Sequence, residues 1–267
     1  MPPPSPPLNM IVAVTDTGGI GMRGAIPWRL KRDVLYFRLV TTHFSEKSGV
    51  VREEAAEGAK AKWQGAGAGE GEGEGKEKGD GGGGRTVTNA VIMGRKTWES
   101  IPPKWRPLGD RINVVVTSRW ESLQHEHAAT TTTPSTLLFK PSLTSAMDHL
   151  AAVPRVDAVF VIGGAQVYAE ALAHPACKRV FLTRVWRTGT GSVPGAVDEK
   201  DGRSTEGGLT PETRERASWD CDAFFPTLGS EWKDVPGAVE KVTRGRYSGA
   251  EGEEGGVGYK FAVLERV

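Results

Sequence analysis

Cysteine is scarce in this chain, which holds only Cys177 and Cys221. Two thiols cannot staple a disulfide scaffold, so a reducing compartment is expected. An excess of charge of one sign is also lacking. Thirty-four basic side chains stand against 33 acidic ones, which leaves no electrostatic footprint for nucleic acid or an anionic membrane. No apolar run reaches the length of a membrane span, and the opening MPPPSPPLNM has no apolar core of the kind that directs secretion. These absences lead to the expectation of a soluble, cytoplasmic protein with neither nucleic acid nor a membrane as partner. No segment reads as a coiled coil or dimer helix, so a monomer is expected.

Glycine, by contrast, is abundant, and its distribution explains why. Between Gly65 and Gly84 eleven of twenty residues are glycine, mostly alternating with Ala or Glu. Such a segment buries too little apolar surface to offset its ordering entropy. Residues from about Ser45 to Arg85 are read as a disordered insertion, those from about Thr188 to Ser218 as a second, and Ser248 to Gly258 as a third Gly/Glu-rich tip. Lengthening a loop from ~8 to ~45 residues costs only about 1.5 kcal/mol of closure entropy. Without the two long insertions about 200 residues remain, the size of one domain, so the whole span 1–267 is read as a single domain.

That domain shows continuous Val- and Ile-rich runs at Met10 to Val14, Ala90 to Met93, Ile112 to Thr117, Ala158 to Ile162 and Val180 to Val185. Unbroken apolar runs suit strands covered on both faces. Helical spacing links Leu30, Val34, Phe37 and Val40/Thr41, then Leu143, Met147, Leu150 and Val153, and continues in Ala165 to Leu172. The alternation predicts an α/β fold with a mainly parallel central sheet and helices on both faces. Val239 to Tyr247 and Tyr259 to Glu265 alternate around a turn, which predicts a closing C-terminal antiparallel hairpin.

Gly19 to Gly24, GIGMRG, matches the dinucleotide fingerprint G-x-G-x-x-G behind the first predicted strand. The fingerprint requires a helix immediately afterwards. Here Ala25-Ile26-Pro27-Trp28 follows, and Pro27 forces Ile26 to be extended. The glycines therefore belong to a mobile loop, and phosphates must be held elsewhere.

Seven segments in one order carry a family resemblance: NMIVAVTDTGGIGMRGAIPWRLKRDVLYF, VIMGRKTWESIP, PLGDRINVVVTSR, VFVIGGAQVY, VFLTRV, DAFFP and YKFAVLER. Together they resemble dihydrofolate reductase, particularly its eukaryotic members, over nearly all of the chain outside the insertions. The resemblance implies NADPH-dependent reduction of 7,8-dihydrofolate to 5,6,7,8-tetrahydrofolate, in support of one-carbon metabolism, with dihydrofolate and NADPH as the ligands. Asp33 would be the one ionisable group in the substrate pocket. Its two oxygens would take the adjacent N3–H and 2-amino donors of the pteridine and promote protonation at N5, directly or through water. Outside this set of motifs, an aspartate in a helix's first turn needs no explanation beyond the macrodipole.

The family positions assign further roles. Trp28 would cover the pocket and hold ordered water near Asp33, and Thr183 would bond the inner oxygen of Asp33. Phe37 and Ile101 would line the faces of the pterin and aminobenzoyl groups, while the backbone of Ile11, Val12 and Ile162 edges the ring. Periodicity alone would place the same residues in the core. Arg111 matches the arginine that grips the α-carboxylate of the glutamate tail, through a planar fork that lysine lacks.

For NADPH, Gly94, Arg95, Lys96 and Thr97 form a strand-to-helix turn with two cations, suited to phosphate. With Val116, Thr117, Ser118 and Arg119 at the end of the next strand, this turn would receive the adenosine 2′-phosphate. Gly163 and Gly164, followed by Ala165, Gln166, Val167 and Tyr168, would let the diphosphate approach bare backbone, and the family keeps a cis peptide between such glycines. The loop from Asp16 to Gly24, including Ile20, resembles the family's flap over nicotinamide, with Ala13 also at that ring.

His125-Glu126-His127, read as part of a polar loop, lacks a third ligand at plausible spacing, so no metal site is assigned. No serine or cysteine sits in a nucleophile motif. Asp33 is one methylene shorter than the Glu typical of eukaryotic relatives, and Ala25 offers the flap no side-chain hydrogen bond. The insertion starting near Ser45 adjoins the substrate cleft in sequence. Two rivals share the fold: a pyrimidine reductase of flavin synthesis, and a catalytically silent nucleotide-binding protein. Neither calls for Asp33, Phe37 and Arg111 together.

Overall fold

The structure is a computed structural model that describes residues 6–52, 87–130, 136–188, 219–247 and 251–267. The bulk of the two expected insertions, 53–86 and 189–218, lies outside the described residues. Residues 45–52, counted in the first, are described: β3 (Phe44–Ser45) and β4 (Val50–Val51) pair there as a short antiparallel hairpin.

β1 (Leu8–Thr15), β5 (Thr88–Gly94), β6 (Arg111–Val116), β7 (Leu137–Lys140), β8 (Val156–Gly163) and β9 (Cys177–Arg187) form the parallel body of the main sheet, in the order β9-β1-β8-β5-β6-β7. β13 (Val257–Arg266) joins β9 antiparallel, with β11 (Trp232–Asp234) beyond it and β12 (Glu251–Glu254) also paired to β13. Along β1, Ile11 packs into one apolar cluster while Met10 and Val12 pack into the other. Period-two alternation with both faces buried is the pattern of a covered parallel sheet. α1 (Lys31–His43) packs on the Ile11 side, and α4 (Leu143–Ala151) and α5 (Ala165–Ala173) on the other. The α/β reading with helices on both faces holds.

Three local readings are corrected. Val239 to Tyr247 is not a strand: α6 (Ala238–Val242) buries Val239 and Val242, three residues apart on one helical face, and is entered through Gly237 at φ +74°. The second arm of the hairpin is instead β12, within the Gly/Glu-rich tip. Gly255 and Gly256 there supply the two successive positive φ angles, +60° and +78°, that a two-residue turn requires. The third correction concerns His125 and His127, which lie on a helix, α3 (Trp120–Thr130), and not in a loop. Polar composition hid it, because few apolar side chains mark its face.

The ends of β1, β5, β6 and β8 lie along one edge of the sheet. In an open α/β sheet that carboxyl edge is where ligands bind.

Candidate active site

Pro27 keeps the chain extended after the loop, and α1 starts only at Lys31. Asp33 thus falls in the first turn, one turn before Tyr36 and Phe37. Its Oδ1 accepts a 2.7 Å hydrogen bond from the Thr183 hydroxyl on β9, and Ala13 is the residue of β1 paired with Thr183. No Lys, Arg or His among the described residues forms an ion pair with Asp33, and Oδ2 has no hydrogen-bond partner among them. Burial raises the carboxyl from 3.8 to about 6, the Thr183 bond offsetting part of that rise. Tyr36 and Tyr168 are pushed up by burial and by the charge of Asp33. The site therefore holds one acid that titrates near neutrality and keeps one oxygen free for a donor.

Ile11, Ala13, Trp28, Phe37, Ile101 and Ile162 belong to the apolar cluster on this face of the sheet. The side chain of Val12 points into the opposite cluster, leaving only its backbone for this side. The Ile11 carbonyl accepts from the Tyr168 hydroxyl at 2.8 Å. Trp28 is 6% exposed and packs against Trp219 at 5.1 Å, with the Arg187 guanidinium on the other ring's face at 5.1 Å. Ile26 and Val34 are 62% and 63% exposed, and Val34 stands beside Asp33 on α1. An exposed apolar side chain beside a desolvated acid suits a ligand-binding surface.

Arg111 is 6% exposed yet has no carboxylate partner among the described residues. Its Nη1 donates to the Thr41 hydroxyl at 2.7 Å, its Nε to the Gly109 carbonyl at 2.9 Å, and its guanidinium lies 5.8 Å from the centre of the Phe37 ring. Burial and the nearby Arg38 push it down to about 10, with Asp110 working the other way. A buried cation without an anion is costly unless a ligand supplies one.

The two strand-to-helix turns touch. β5 runs into α2 (Arg95–Ser100), and β8 into α5 through Gly163 and Gly164. A Cβ on Gly163 would lie 2.6 Å from Thr97 Cγ2, and one on Gly164 3.5 Å from the Gly94 Cα. Gly94 is also paired with Val116 on β6, which brings the Thr117-Ser118-Arg119 end alongside. Thr117 is buried and accepts from the Arg119 amide at 3.2 Å, while Ser118 and Arg119 are exposed. Arg95 pairs with Glu99 on the surface, and Lys96 is exposed. Ala165, next to Gly164, opens α5. Gln166 reaches Glu170 on that helix, and Val167 and Tyr168 point into the core. The Gly163–Gly164 peptide is not cis; among the described residues the cis peptide is Arg106–Pro107. Gly163 is buried and Gly164 half-buried, and they adopt φ angles of +159° and +90°.

The GIGMRG loop is ordered by a partner that its own sequence does not reveal. β2 (Gly19–Gly21) pairs with β10 (Ala223–Phe224), and Asp222 Oδ2 accepts from the Arg23 amide at 2.9 Å. Cys221 fits against Gly19 so closely that a Cβ there would stand 2.5 Å from its Sγ. Ile20 packs against the cluster that holds Val167 and Tyr168. Gly24, at φ +78°, lines a cavity of about 470 Å³ with Arg23, Lys96, Glu99, Ser100 and Asp222. Trp219, Asp222, Ile26 and Val34 are residues that sequence reasoning missed. The exposed apolar pair left a sequence trace as hydrophobes beside Trp28 and Asp33, and Asp222 as the first residue of DAFFP.

The dihydrofolate reductase family model matches residues 84–205. Rat dihydrofolate reductase is 31% identical over 268 residues, 97% of each chain. That of Schistosoma mansoni is 37% identical over 182 residues, 67% of this chain and 72% of its own. The solved structure of the Schistosoma mansoni enzyme superposes with a TM-score of 0.57 at 26% identity, covering 99% of this chain and 100% of that one.

Proposed function

The chain belongs to the dihydrofolate reductase family, and from that premise we propose that it reduces 7,8-dihydrofolate to 5,6,7,8-tetrahydrofolate with NADPH. The observation that carries this reading is Asp33: a desolvated carboxyl with one oxygen on Thr183 and, among the described residues, no partner for the other oxygen and no cation to neutralise it. The pteridine edge presents two parallel donors, N3–H and the 2-amino group, and a carboxylate fixed at one oxygen is oriented to meet them. Burial raises its pKa to about 6, so the group would promote protonation at N5, directly or through water, near neutral pH.

NADPH, when bound, supplies the hydride that adds at C6. The residues that would hold it fit such a group. Gly163, where a Cβ would clash with Thr97, lets the two turns pack together, and Gly94 and Gly164 carry no side chain beside them, as a close-lying diphosphate would require. Arg95 and Lys96, with the Thr117-Ser118-Arg119 end of β6, supply cations and hydroxyls for the 2′-phosphate. Ile20 and Ala13 would border the nicotinamide, and Trp28, held by Trp219, would keep bulk water off Asp33. Phe37 and Ile101 would take the faces of pterin and aminobenzoyl groups, and Arg111 the tail carboxylate, which would provide the anion it lacks. Free Cys177 and Cys221 suit a reducing cytosol. No helix among the described residues is long and apolar enough to cross a membrane. We read the protein as a cytosolic monomer of one domain.

The test is the loss of NADPH absorbance on adding dihydrofolate, repeated with Asp33→Asn. The variant should lose at least ~100-fold in kcat/KM at neutral pH. Near-full activity in it would remove Asp33 from the mechanism.

A further inference from the structure

α1 begins without a cap of its own. Leu30, the residue before it, is extended (φ −131°, ψ 103°) and offers no side-chain acceptor, so the first N–H groups have no partner within the helix. Their acceptor comes from the far end of the chain. Glu254, the last residue of β12, places Oε1 3.1 Å from the Lys31 amide nitrogen and Oε2 3.2 Å from that of Arg32.

Arg32 is gripped twice more. The Tyr247 hydroxyl donates to its carbonyl at 3.4 Å, and its guanidinium lies 5.2 Å from the centre of the Tyr247 ring. That carbonyl is half of the peptide leading into Asp33. The Tyr247 ring meets Tyr36 at 5.2 Å and Phe261 at 5.4 Å, both edge-on. Phe261, on β13, is directly opposite Thr183 on β9, and Thr183 holds the Asp33 carboxylate. The contacts close into a ring. The side chain of Asp33 is fixed by β9, and the two residues before it by Tyr247 and by Glu254 of the hairpin that flanks β9.

We propose that Tyr247 and Glu254 are positioning residues of the dihydrofolate site: a clasp on Arg32 that fixes the first turn of α1, and with it the alignment of the Asp33 carboxylate to Thr183 and to the pterin edge. A helix cap elsewhere would stabilise the fold and nothing more. This one sits on the two residues that precede the acid, so loosening it weakens the Thr183 hydrogen bond. That bond holds the Asp33 pKa down. The other titratable groups that feel the charge of Asp33 are the Tyr36, Tyr168 and Tyr247 hydroxyls, all pushed up by burial, so near neutrality Asp33 alone among them reports the change.

The inference rests on Asp33 being the substrate-binding acid, and Asp33→Asn is the reference variant for that. Glu254→Ala should raise KM for dihydrofolate about three- to ten-fold, the worth of a hydrogen bond or two, leave KM for NADPH unchanged, and move the pKa governing kcat/KM upward. Glu254→Gln, which keeps one acceptor oxygen, should fall between it and the parent. Tyr247→Phe, which keeps the ring, should shift the same two quantities less. If these variants lower Tm while KM and the pH profile stay put, or if the profile moves down as the loss of a negative charge alone would move it, the clasp is refuted. An active Asp33→Asn enzyme would instead overturn the assignment of Asp33 beneath it.

Discussion

The Thr183 hydroxyl donates to Asp33 Oδ1 at 2.7 Å, joining a strand in the middle of the sheet to the first turn of a helix 150 residues earlier. This bond opposes the burial that raises the acid's pKa. Thr183→Val keeps the shape and removes the donor. The pKa seen in the pH dependence of kcat/KM should rise by about half to one unit, the equivalent of one net hydrogen bond. A profile that does not move would separate Thr183 from the acid.

Asp33 also weakens the fold it serves. Its carboxyl titrates near 3.8 when exposed and about 6 in the folded protein. Below about pH 4 it is protonated in both states and carries no penalty. Between about 4 and 6 the folded form holds a proton that the unfolded form has lost, so its contribution falls as pH rises, and above about 6 the full penalty applies. Asp33→Asn should therefore raise Tm at pH 7, with the gain vanishing near pH 4. Thermal melts at the two pH values check the sign.

Gly163 is fixed by its neighbour. A methyl there would stand 2.6 Å from Thr97 Cγ2, so Gly163→Ala must push the two turns apart. The loss in stability should be about 1–3 kcal/mol, as for other overpacked sites. The larger effect should fall on the cofactor, with KM for NADPH rising by at least ~10-fold while dihydrofolate binding is less changed. Isothermal titration with each ligand separates the two.

Arg111 carries a buried charge without an anion among the described residues. Arg111→Lys keeps the charge and loses the fork. KM for dihydrofolate should rise about ten- to a hundred-fold, as for a lost charge-assisted pair. A reduced pteridine lacking the glutamate tail should be turned over equally by both proteins. A matched loss on the tail-free substrate would place Arg111 elsewhere in the mechanism.

Much of the site was legible because its parts are local. Asp33 one turn before Phe37, glycine turns after apolar runs and the threonine of VFLTRV each keep a fixed place relative to the element that carries them, whereas Leu30, read on the same helical face, is extended and precedes α1. What stayed hidden depends on chain segments meeting. Nothing near Gly19 announces that Ala223 and Phe224 will pair with its strand, or that Asp222 will take the Arg23 amide. Nothing near Leu30 announces that a glutamate 222 residues beyond Arg32 will cap its helix. Reading Val239 to Tyr247 as alternating overlooks its valines at positions 239 and 242, which fit a strand's alternation poorly and a helix's spacing well, and the composition of a Gly/Glu tip conceals β12. The polar α3 shows the same limit: a helix with a weak apolar face leaves little periodicity to read.

The most direct test is a crystal structure of the protein with folate bound. Both oxygens of Asp33 should lie within hydrogen-bond distance of the pteridine, one facing N3 and the other the 2-amino group, with the Thr183 hydroxyl still on Oδ1. A pterin seated in the cleft with the Asp33 carboxylate turned into solvent would contradict the account.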